Sequence, residues 1–301
     1  MIGDMDKLLI VVVLGWLGAM LGSFAGAQVW RLRAMQLRDD KKDGEKVDER
    51  EFKRLKGLLR PIASDRSECL RCHHQLAWYD LLPIISWASL LGKCRYCKQP
   101  IGGMEPLVEV GLASLFIISY FAWPLPLVTV PDLILFVLWL LACVLMTILF
   151  AYDAKWFLLP FKINLALIAV ATAYAALSIA LTGGLTLEVM ASLAASIFLM
   201  SGLYYIFSLF GWVGLGDSIL GLGLALMLGR WELAFLALFL ANFIGTFMLV
   251  PLAIRKELHR QAHIPFGPFL ILGSVIAILF GDDIIRSVFE WSDAVLNILM
   301  V

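Results

Sequence analysis

The chain has 301 residues, 61% of them hydrophobic and only 16% charged, with a mean hydropathy of +0.88. Soluble domains average about 45–50% apolar and about 25% charged residues, so these values point to a protein covered by lipid and exclude an ordinary soluble domain. Formal net charge is zero, and no global field favours a nucleic-acid partner.

Val11 to Gly26, Leu133 to Tyr152 and Leu233 to Leu252 carry no charged residue. An apolar run of about 18 residues or more crosses a hydrocarbon core about 30 Å thick. Apolar runs between breakers predict eight spans, roughly 8–30, 107–123, 132–151, 163–182, 187–210, 217–229, 232–254 and 266–281. The sixth is short and rich in glycine. Met1 to Lys7 holds one Lys and two Asp, against the positive charge of a signal peptide, so the first span reads as a retained helix.

Residues 31–105 hold 16 of the 24 basic and 11 of the 24 acidic residues, a local net of +5. A basic loop belongs on the cytoplasmic side, which places the N-terminus outside. Alternation then puts Asp153 to Lys162 and Gly211 to Asp217 inside. The second basic loop, Arg255 to His263, also falls inside without having set the count. Within the first loop, residues 36–60 are charge-dense and read as solvated. Phe52, Leu55, Leu59 and Ile62 recur there at helical spacing beside Lys53, Arg54, Lys56 and Arg60. That pattern suits a basic amphipathic helix on the anionic inner leaflet, or equally a solvated helix. No internal repeat is visible.

Cys69-Leu-Arg-Cys72 and Cys94-Arg-Tyr-Cys97 are two C-x-x-C pairs. Each spacing lets two thiolates reach one metal from a tight turn, and four soft ligands close a structural zinc tetrahedron. Two disulfides or a redox dithiol are the alternatives; a cytoplasmic loop, where thiols stay reduced, favours zinc. Cys143, inside the third span, reads as a core residue, and His73 and His74 as solvated.

Acidic residues at the edges of membrane spans are candidate functional groups. Asp153 ends the third span, before Leu158-Leu159-Pro160, and Asp217 starts the sixth, in Gly214-Leu215-Gly216-Asp217. Both fall at the cytoplasmic face. Two carboxylates brought together in low dielectric cannot both ionise, so a pair supplies a general base and a general acid. Gly214 and Gly216 would let the backbone approach a substrate strand. Either Asp taken singly reads better as a helix N-cap or an interfacial polar residue than as a catalytic group.

The motifs together resemble the type IV prepilin peptidases over nearly the whole chain. They are Gly22-Ser23-Phe24 with Arg31, both C-x-x-C pairs, Trp78 to Trp87, Gly92-Lys93-Cys94, Pro106-Leu107-Val108-Glu109, and Ile264-Pro265-Phe266-Gly267-Pro268-Phe269. The family's catalytic aspartates map onto Asp153 and Asp217. The resemblance implies the G-x-G-D intramembrane aspartic-protease fold and a multi-pass place in the bacterial cytoplasmic (inner) membrane. It implies cleavage of the basic leader from prepilins or type II secretion pseudopilins at the cytoplasmic face. It also implies methylation of the new N-terminus with S-adenosylmethionine. This chain has Ala25 to Ala27 where the family has Asn, Phe161 where it has Asp, and Ile219 where it has Lys.

The expected architecture is therefore an all-α polytopic membrane protein of about eight transmembrane helices with a cytoplasmic, cysteine-rich, zinc-binding loop. Its parts would be a first helix (1–30), the charged and tetracysteine region (31–106) and a seven-helix membrane aspartic-protease domain (107–301). Expected partners are prepilins or pseudopilins and the bilayer's anionic inner leaflet. The competing functions are a catalytically silent pilus or secretion assembly component, and a transporter using the carboxylates as a proton relay.

Overall fold

The computed structural model describes residues 4–60, 66–254 and 265–299. The second basic loop, Arg255 to His263, lies outside the described residues, as does Ile62. Among the described residues the secondary structure is helical, with two isolated β-bridges and no strand. The chain forms two compact units, residues 1–120 and 121–301.

In the first unit, α1 (Asp4–Lys42) is one continuous helix. It runs about twelve residues past the expected end at 30, through Lys42, because neither Gly nor Pro follows Gly26 before Gly44. Short α2 (Glu49–Leu55) starts at Asp48, whose carboxylate accepts the Arg50 and Glu51 N–H groups. Leu55 and Leu58 are buried against Ala34 and Leu37 of α1, with Phe52, Leu59 and Leu70 around them. The apolar face expected to enter the inner leaflet is thus covered by protein. Arg33 of α1 grips Glu51 at 2.7 Å and adds a charged link to the same joint.

The cysteine box and α3 (Ile85–Ser89) lead into α4 (Met104–Ala122). α1 and α4 pack closely through small residues, as helices do in lipid. A Cβ on Gly18 or Gly22 would lie 2.7 Å from the Ala113 or Glu109 Cα. Buried Glu109 accepts the Ile84 N–H at 2.7 Å, where Ile84 holds a left-handed φ of 62°.

The second unit contains α5 (Val130–Trp156), α6 (Phe161–Leu181), α7 (Leu187–Ile197), α8 (Leu203–Leu209), α9 (Leu215–Leu228), α10 (Trp231–Ile254) and α11 (Gly267–Leu299). A π-helical turn, Phe198–Gly202, joins α7 to α8 into one continuous span. Capping follows local chemistry: Thr129 and Asp132 form a reciprocal capping box at α5, and Thr186 caps α7. Trp139, Leu149, Leu167, Leu220, Leu224 and Leu270 are fully buried. Phe235, Phe239, Phe243 and Phe247, by contrast, form an exposed stripe along α10, as a lipid-facing surface would.

Among the described residues, seven helices are long and apolar enough to cross a membrane. The sixth expected span is present as α9, but its 14 residues reach only about 21 Å. α11 passes beyond the expected end at residue 281; Asp282 and Asp283 there pair with Arg230 and Arg286.

Candidate active site and metal centre

Asp153 lies in the last turn of α5 and is 4% exposed. The helix stops at Phe157, which adopts φ 58° and donates its N–H to the Asp153 carbonyl. The non-helical Leu158-Leu159-Pro160 then turns the chain into α6. Asp217 is the third residue of α9, and its carboxylate turns back toward the Gly214 N–H at the helix start. That is the position at which an acidic side chain meets the positive end of the helix.

The two carboxylates lie within Coulombic reach of each other. Gly267, the first residue of α11, faces Asp153: a Cβ there would lie 2.6 Å from Oδ2. This buried oxygen accepts no hydrogen bond from the described residues; the Gly267 N–H is nearby but outside good hydrogen-bond geometry. Leu159 lies against both glycines, and a Cβ on Gly216 or Gly267 would lie 3.1 or 3.5 Å from it. Gly216 thus admits Leu159, while Gly214 forms the N-cap. Tyr204 is within electrostatic reach of Asp217 and its ring lies 5.4 Å from Phe266.

Behind Asp217, α9 is fastened to the π-helical turn. Ser218 Oγ donates to the Ser201 carbonyl at 3.0 Å, and Ser201 Oγ donates to the Ser218 carbonyl at 2.9 Å. A Cβ on Gly221 would overlap the Met200 carbonyl oxygen. The π turn leaves room for this crossing, as such turns often do beside functional residues.

In the first unit, the Sγ atoms of Cys69, Cys72, Cys94 and Cys97 all lie within 4.8 Å of one another. Cys69 and Cys97 are 4.0 Å apart. Four thiolates around a tetrahedral metal at about 2.3 Å would be spaced about 3.8 Å, so the four cysteines could hold a metal ion.

The two cysteine turns repeat each other in backbone form, although beyond the cysteines their side chains differ. The His73 N–H reaches the Cys69 carbonyl and the Cys69 N–H the His74 carbonyl; Lys98, Cys94 and Gln99 do the same. His73 and Lys98 hold matching φ angles of 57° and 59°. Burial alone would raise the Cys94 pKa, but N–H groups of Cys97 and Tyr96 turned toward its sulfur bring it down to about 7. Burial pushes the neighbouring Cys69 thiol the other way, so the N–H groups around Cys94 make it the corner where the thiolate, the ligand form, is best supported.

His73 and His74 are both exposed, as expected of solvated residues, and each also touches a neighbour. His73 Nδ1 lies 3.1 Å from buried Glu68, and His74 stacks on Tyr96 at 3.6 Å. Asp80 ties the second cysteine knuckle to the segment between the two by accepting from Arg95, Tyr96 and the Ala77 N–H. Cys143 is a buried core residue of α5.

A family profile described as Bacterial Peptidase A24 N-terminal domain matches residues 16–123. Over 281 residues the chain is 31% identical to the prepilin leader peptidase/N-methyltransferase of Aeromonas hydrophila, covering 89% of each chain. The chain belongs to the prepilin leader peptidase/N-methyltransferase family. The Pseudomonas aeruginosa member is 30% identical over 283 residues, with 92% of both chains covered. No solved structure gives a match. Within this chain, α5 and α9 bring Asp153 and Asp217 within Coulombic reach, and the loop of the first unit brings the four cysteines together.

Proposed function

We propose that the protein cleaves the leader from prepilin-type substrates in the inner membrane, with Asp153 and Asp217 as its catalytic pair. The observation that carries this reading is the convergence of these two distant carboxylates at one end of α5 and α9. One carboxylate removes a proton from water as its oxygen adds to the scissile carbonyl. The other, bearing a proton, delivers it to the amide nitrogen as the C–N bond breaks. Gly214, exposed at the start of α9, leaves that end open to a substrate strand, while Gly216 is covered by Leu159, which a strand reaching it would have to displace. The Lys and Arg excess of residues 31–105 supports a cytoplasmic cysteine region and an external N-terminus. On this reading residues 107–301 are the catalytic membrane region and 31–106 the cytoplasmic part.

Cys69, Cys72, Cys94 and Cys97 would hold a zinc ion, their all-sulfur donor set and spacing suiting it. A closed tetrathiolate leaves no position for water, so the ion would brace the loop and take no part in hydrolysis. Methylation of the new N-terminal amine with S-adenosylmethionine is the second proposed activity. Its support is the name of the relatives. The reading as a silent assembly component is disfavoured by that kinship and by the presence of both aspartates.

The test is to incubate purified protein in detergent with a prepilin and S-adenosylmethionine and weigh the product intact. Loss of the leader with gain of one methyl group is expected. A prepilin that binds but keeps its leader would contradict the proposal; loss of the leader without the methyl group would remove only the second activity.

A further inference from the structure

Asn164, in the first turn of α6, is 1% exposed. Among the described residues, neither its side-chain oxygen nor its nitrogen makes a hydrogen bond. An asparagine amide offers two donors and an acceptor, and burying them unpaired is unfavourable. A leucine would fill about the same space at no such cost, so the amide calls for a role outside the resting packing.

Its surroundings indicate the role. Leu159, just before α6, packs on Gly216 beside Asp217; farther along, Leu167 and Ile168 pack on Gly223. α6 and α9 therefore run side by side in the same direction away from the carboxylates. Asn164 shares the buried stripe of α6 with Leu167, Ala171 and Ala175, at spacings of three, seven and eleven. It lies between the Leu159 and Leu167 levels, about one helical turn deeper than Asp217.

We propose that Asn164 is a substrate-binding residue whose amide pairs with the main chain of the peptide beside the scissile bond. The proposal rests on the proteolytic reading above. A peptide presented to the carboxylates in an unwound form frees backbone N–H and C=O groups at membrane depth, where no bulk water pairs them. A side-chain amide matches both. Along this seam Leu159 covers Gly216, and Leu167 and Ile168 cover Gly223, so an entering strand has to part these side chains from α9 to reach the amide.

The test compares Asn164→Leu with the wild type for prepilin cleavage and thermal unfolding, with Asp153→Asn as the inactive control. The leucine protein is expected to unfold at the same or a higher temperature while kcat falls about tenfold or more. A lower unfolding temperature would make Asn164 a structural residue, and an unchanged kcat would remove its contact with substrate; either overturns the proposal. As a second pair, Asn164→Ser should cleave faster than Asn164→Ala, and equal rates would overturn it as well. A wild type as inactive as Asp153→Asn would instead overturn proteolysis itself.

Discussion

Gly267 stands so close to Asp153 that a methyl group on its Cα would lie 2.6 Å from the buried Oδ2. The carboxylate, at the end of a side chain, is the part that would move. Gly267→Ala should therefore rotate Asp153 while leaving helix packing intact. A misplacement of about 1 Å can cost about 100-fold in rate, so a loss of that order is expected in initial cleavage rates. The unfolding temperature should change little.

The reciprocal bonds between Ser201 and Ser218 hold α9, and with it Asp217, against the π-helical turn. Ser201→Ala should cost about 1 kcal/mol of stability, the usual worth of such a hydrogen bond. Gly221→Ala should cost more, about 1–3 kcal/mol, because its Cβ meets backbone rather than a mobile side chain. Unfolding of the detergent-solubilised variants, in that order of severity, checks both.

Cys94 is the buried corner of the tetracysteine cluster. Cys94→Ser should remove about one metal ion per chain, as measured by elemental analysis, and expose residues 66–100 to limited proteolysis. The membrane helices should keep their resistance. Full metal content in this variant would contradict the assignment of the four ligands.

Arg95, Tyr96 and the Ala77 N–H overcome the burial of Asp80 and hold its carboxyl below the ordinary aspartate value of 3.8. The folded loop thus binds fewer protons here than the unfolded chain. The stabilisation is fully present above the ordinary value and is lost as pH falls through the lowered folded one. Asp80→Asn should reduce the loop's unfolding temperature at neutral pH, and the gap from wild type should narrow in acid. A gap that widens in acid would reverse the sign.

The spans and the two carboxylates were legible because long charge-free runs have few alternatives and acidic residues at their edges stand out. Helix lengths were less so. Charges at Arg38 to Lys42 read as solvated chain, yet α1 continues through them, supported by Lys41 to Glu49 and by the Leu55 and Leu58 contacts. The expected last span ends at residue 281, but α11 continues through Asp282 and Asp283. Asn164 was not singled out: an asparagine near a span's start has an easy interfacial reading, and only its burial shows otherwise. The matching knuckles share little beyond their cysteines, because their likeness lies in backbone hydrogen bonds and a left-handed residue.

The central claim is that Asp153 and Asp217 act as one pair. Asp153→Asn and Asp217→Asn preserve shape while removing the acid–base chemistry, so each can be compared with the wild type by intact-mass measurement of a prepilin. The wild type should release the leader, and each single variant, still folded by thermal unfolding, should leave the substrate at its starting mass. Leader release by both single variants would contradict the claim.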